Sequence, residues 1–129
     1  MSGPALRTLA SYSAELAAAD DEWRLRLLIH EFGLIWNDSR VHDRPALVAD
    51  EPEPIDHRWD AFMAAYVEHL CWHADLDSPG WVFAPHRYLD RVWFVADWSA
   101  TLKIEAVVHT PAAFEARGVM LSDRELMVV

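Results

Sequence analysis

Between residues 58 and 74 the chain carries Trp59, Phe62, Met63, Tyr66, Val67, Leu70 and Cys71 at i, i+3, i+4, i+7 spacing. That spacing gathers them on one wide face of a helix, and such a face has to be covered by a second layer. The residues that follow can supply the cover. Asp77-Ser78-Pro79-Gly80 reads as a turn. Trp81-Val82-Phe83 and residues 91–96 read as short strands, and residues 103–108 as a third strand or the start of a helix. Thr110 before Pro111 reads as an N-cap with proline in the first helical position, giving a short helix over 112–116 that Gly118 ends. Ser122 and Glu125 pair as a capping box for a last turn.

The N-terminal part is patterned as two further helices. Ser2-Gly3-Pro4 opens the first, with Leu6, Leu9, Tyr12 and Leu16 in one stripe. Asp20 caps the second, whose apolar residues Leu25, Leu28, Ile29, Phe32, Ile35 and Trp36 run at helical spacing to Asn37. The pair is expected to form a hairpin. Pro45, Pro52 and Pro54 then preclude a continuous helix, although Ala46-Leu47-Val48 could add a short strand. The expected fold class is α+β: an N-terminal helical hairpin, then a central amphipathic helix packed on a small sheet of short strands. The expected organisation is a hairpin and loop over 1–49, an acidic proline-rich linker over 50–57 and an α/β module over 58–129, within one compact domain.

Composition narrows function mainly by exclusion. A length of 129 residues suits a single domain with a real core, and 53% hydrophobic with 25% charged residues are globular values. The formal charge of −10 divides as −6 over residues 1–56 and −4 over 57–129. Acidity on both sides disfavours a direct grip on nucleic-acid phosphates and favours a basic or neutral partner. Cys71 is the single cysteine, so no internal disulfide forms. No signal-peptide pattern and no membrane-length apolar run is visible, and the chain reads as cytoplasmic. Ten arginines against one lysine, with abundant alanine, match the usage of a GC-rich bacterial genome.

Catalytic patterns are thin. No P-loop, G-x-G-x-x-G or G-x-S-x-G occurs, so neither a cofactor nor a catalytic residue is expected. His69 and His73 stand at i, i+4 with Glu68 beside them, a spacing that can offer two nitrogens to a metal ion. A third ligand is not signalled, and the plainer reading is that the pair flanks the apolar stripe and bonds to backbone or water. The stretch 88–98 is more suggestive. Trp93, Phe94 and Trp98 can form a docking surface with Arg87 and Arg91 at its rim, or else pack as strands on the central helix.

The runs RWDAFMAAYVEHL, PGWVFAP, LDRVWFV and HTPAAFEARGVMLSDREL resemble a C-terminal module of actinobacterial Xre-type helix-turn-helix regulators. Genes for such regulators often lie beside nucleotidyltransferase-like toxin genes. The resemblance covers residues 58–126 and implies an antitoxin-like or regulatory protein that works by binding and has no catalytic residues to carry over. Residues 1–57 are too few and too acidic for the DNA-binding domain of that pattern. The expectation is therefore a neutralising partner of a toxin-like protein, without direct nucleic-acid or membrane contact. Its contact residues would be Arg91, Trp93, Phe94 and Trp98, with Asp50, Glu51 and Glu53 of the acidic segment. A homodimer using the same tryptophans is a further option. The alternative from another class is a small metal- or ligand-binding domain or enzyme built on His69, His73 and Glu68.

Overall fold

A computed structural model describes residues 7–127. The fold is α+β, mostly helical with one small parallel sheet. Two compact units divide it, the first ending at Ile55 and the second running Asp56–Met127.

In the first unit, a 3-10 turn Leu9–Tyr12 leads into α1 (Ser13–Ala18). Asp20 caps α2 (Asp21–Leu25) by accepting the Trp23 N–H at 2.8 Å. The helix continues through a π-helical stretch, Arg26–Phe32, into α3 (Gly33–Asp38). The hairpin is closed by Tyr12, whose ring meets Phe32 edge-on at 6.2 Å and whose hydroxyl donates to Glu31 at 3.0 Å. Burial and the Glu31 contact push the Tyr12 hydroxyl up to about 12. Arg24 also donates to the Leu16 carbonyl at 2.8 Å. The expected opening at Ser2-Gly3-Pro4 and the contribution of Leu6 lie outside the described residues.

Two expectations for this unit are corrected. Residues 46–48 are helical, not a strand, within α4 (Arg44–Val48). Pro45 falls in the first turn, where its fixed φ favours a helix and its missing N–H costs nothing. The acidic segment is tied to the first unit and is not a free linker. Pro52 is buried and the Glu53 N–H donates to Ser13 Oγ at 3.1 Å.

The second unit is organised on α5 (His57–His73), capped by Asp56, which accepts from the Arg58 and Trp59 N–H groups. Every residue from Trp59 to Val67 is buried. The sequence pattern predicts one apolar face; the structure buries the first half of α5 all round, because Ala61, Ala64 and Ala65 on the remaining sides are small enough for close packing. Phe62 touches Trp59 at 5.0 Å and Phe114 at 5.3 Å. The helix ends at Ala74 in a Schellman arrangement, with Leu76 N–H on the Cys71 carbonyl at 2.9 Å and Asp75 N–H on Trp72 at 3.2 Å. Asp75 takes φ 57°, the left-handed conformation usually left to glycine.

The sheet has two strands, β1 (Trp93–Phe94) and β2 (Val119–Met120), parallel, with Trp93 opposite Val119. Between them run α6 (Ala100–His109) and α7 (Ala112–Glu115). Residues 103–108 are therefore helical, started by Ser99, whose hydroxyl accepts the Leu102 N–H at 3.1 Å. Trp81-Val82-Phe83 is not a strand but part of a 3-10 turn, Gly80–Phe83, hemmed in by Pro79 and Pro85. Pro111, not Thr110, is the N-cap of α7. Thr110 instead donates to the Ala106 carbonyl and accepts the Leu121 N–H, tying α6 to the end of β2. Gly118, at φ 77°, makes the turn into β2, with Leu89 Cβ only 3.5 Å from where a side chain would begin. Ser122 caps a last 3-10 turn, Asp123–Leu126. No helix among the described residues is long and apolar enough to cross a membrane.

Candidate interaction surface and cleft

Two arginines, Arg87 and Arg117, are structural pillars of the second unit. Arg87, expected at the rim of a docking surface, is fully buried. Its guanidinium donates to the Asp60 carbonyl at 3.1 Å and lies 4.9 Å from the centre of the Trp81 ring. Arg117 is buried as completely. It reaches Glu68 Oε1 at 2.6 Å, the Ala113 carbonyl at 2.8 Å and the Val82 carbonyl at 2.8 Å, stacking 4.7 Å from the Tyr88 ring centre. Arginine suits this role because its fork serves several acceptors at once. No periodicity marks such residues in advance.

The expected docking residues separate into different environments. Trp93 is 8% exposed and lies edge-on to Trp59 at 5.2 Å, so it belongs to the core. Phe94 is half-buried, with the Lys103 ammonium 5.8 Å from its ring centre. Arg91 is exposed, and Trp98 is 74% exposed. Asp50, Glu51 and Glu53 are exposed in the first unit.

A surface that the sequence reading missed begins at Trp98. The helix α6 that follows buries only Ala106 of its ten residues. Ile104 stands two residues from Ala106, hence about 200° round the helix and facing away from the unit. Ala100, Val107 and Val108 flank it at i−4, i+3 and i+4, and all four are exposed. The stripe has charged edges: Lys103 on one side, and Glu105 on the other, 3.7 Å from Arg124. An apolar centre within a charged rim is the anatomy of a protein-binding patch. The signal was present in the sequence as β-branched residues at helical spacing, but it was masked by their equal aptitude for a strand.

The histidine pair lies elsewhere, in a cleft of about 480 Å³ between α5 and α7. Glu68, His69, Trp72 and His73 form one wall, and Pro111, Ala112, Ala113 and Ala116 the other. The two imidazole rings are 4.4 Å apart, and His69 also meets Phe114 at 5.9 Å. Burial, aided by His73 and opposed by Asp123, pulls His69 down to about 4, so its ring stays neutral. Glu68, the expected third member, is engaged by Arg117. Among the described residues no group of three or more His, Cys, Asp or Glu is placed to hold a metal ion. Cys71 is buried, and burial raises its thiol, which is the opposite of what a nucleophile needs.

Against known protein families, curated proteins and solved structures, the chain finds no match.

Proposed function

We propose that this chain is a non-enzymatic, antitoxin-like or regulatory protein that binds a cognate toxin-like protein and neutralises it by covering its working surface. The exposed apolar face of α6 carries the reading. Ile104, Val107 and Val108 point outward on a helix that its own unit leaves uncovered. A surface of this kind is maintained at a risk of aggregation unless a partner buries it. Trp98, exposed just before the helix, adds an aromatic anchor of the type that dominates binding energies. The acidic balance of −10 suits a partner whose exposed cleft is basic. The toxin-like identity of that partner rests on the resemblance of residues 58–126 to the regulator module.

Light-scattering mass of the chain co-expressed with the product of its adjacent gene, against the chain alone, tests this. A stoichiometric hetero-complex, with growth of the host restored when both are made, is the expected result. A chain of unchanged mass whose neighbour is harmless without it refutes the proposal.

A further inference from the structure

His69 and His73 stand about one turn apart on α5, and both line the cleft between α5 and α7 with their ring centres 4.4 Å apart. That separation has a chemical meaning. An imidazole nitrogen holds a divalent transition-metal ion at about 2.0–2.1 Å, which puts the ring centre about 3.2 Å from the ion. Two rings meeting one ion at a right angle therefore have centres about 4.5 Å apart, and at the tetrahedral angle about 5.2 Å apart. The spacing found here fits the right angle of square-planar and octahedral coordination. Nickel(II) and copper(II) favour that geometry and take imidazole ligands.

Ring spacing is the part of this arrangement that the backbone fixes. A histidine ring turns about χ2 on an axis passing close to its centre, so rotation re-aims the nitrogens and leaves the centres nearly in place. The carrier is firm: α5 is 17 residues long, capped by Asp56 and buried from Trp59 to Val67. Its Schellman turn begins directly after His73. No other two of the seven histidines lie within ten positions of each other in the chain. A pair on one helical turn acts as a chelate, because binding at the first nitrogen holds the ion at high effective concentration beside the second.

The surroundings leave both rings available. Among the described residues neither has a hydrogen bond, and their ring contacts are with each other and with Phe114. Burial keeps the His69 ring neutral. The cleft of about 480 Å³ has room for an ion and several waters. Glu68 is held by Arg117, and among the described residues no third His, Cys, Asp or Glu joins the pair. The protein therefore supplies two ligands and leaves the other positions to water.

We infer that His69 and His73 form a two-imidazole site for a divalent transition-metal ion of the nickel and copper type, within the α5–α7 cleft. This site is separate from the α6 stripe and does not depend on a protein partner.

The test uses the full-length protein and nickel(II) chloride near neutral pH, in a buffer that does not bind metal. Calorimetry gives the affinity, and paramagnetic broadening of amide signals in NMR gives the place. One ion per chain is expected, with broadening centred on residues 69–73 and 111–113. His73→Ala, at an exposed ring, and His69→Gln should each weaken binding about 100-fold, because either one leaves a lone imidazole. His30→Ala, at an exposed histidine of the first unit, should leave it unchanged. Binding that survives His73→Ala, broadening centred on other histidines, or no binding at millimolar nickel would each overturn the inference.

Discussion

Helices α5 and α6 belong to the same unit and have comparable apolar content, yet the fold treats them in opposite ways. Every residue of α5 from Trp59 to Val67 is buried, whereas α6 buries only Ala106. The sequences differ in where small residues stand. In α5, Ala61, Ala64 and Ala65 fill the positions between the large side chains and let neighbouring elements close in from all sides. In α6 the single buried alanine faces the unit, and the β-branched Ile104, Val107 and Val108 are turned to the outside. One helix holds the unit together. The other is displayed by it.

Substitutions separate the two roles most sharply in the core. Phe62→Ala is expected to cost about 3–5 kcal/mol, because it empties a site packed by Trp59 and Phe114; urea denaturation reads this directly. Arg117→Ala should cost about 3 kcal/mol, since it strips partners from Glu68 and from the Val82 and Ala113 carbonyls. If its loss proves as mild as a surface substitution, the pillar role assigned to it fails.

The α5–α7 contact should also respond to pH. His69 sits near 4 when folded against an ordinary value of 6.5, so the unfolded chain takes up the proton first as pH falls. The stability His69 contributes is complete above about 6.5 and is lost progressively as pH falls to about 4, a change of about 1–2 kcal/mol given the exposed part of the ring. Denaturation at several pH values should show that loss, and His69→Gln should flatten it. A smaller gain is expected at the end of α5. Asp75→Gly relieves a left-handed residue and should stabilise by about 0.5–1 kcal/mol, seen as a rise in Tm.

How much of this was legible depended on whether local signals had a competitor. The hairpin, the Asp20 cap and the span of α5 followed from periodicity and capping residues, which point one way. The α6 segment did not, because isoleucine and valine suit either a strand or a helix, and only the Ser99 cap in its folded setting decided between them. Pro45 was read as a breaker when its place in the first turn of α4 made it a starter. At the candidate site, the sequence put forward Trp98, Arg91 and the His69/His73 pair as candidates, but it could not tell Trp98, which is exposed, from Trp93, which Trp59 covers. Nor could it see that Arg87 and Arg117 are interior. Those distinctions come from contacts between residues far apart in the chain, and no local pattern encodes them.

The most direct test of the contrast is one variant read in two ways. Ile104→Asp should shift unfolding free energy by no more than about 0.5 kcal/mol, because the side chain already faces solvent. In the light-scattering measurement with the neighbouring gene product, the same variant should leave the chain at its unbound mass while the unsubstituted protein forms the hetero-complex. A complex that assembles undisturbed by Ile104→Asp, or a variant that unfolds, would contradict the assignment of α6 as a surface built for a partner.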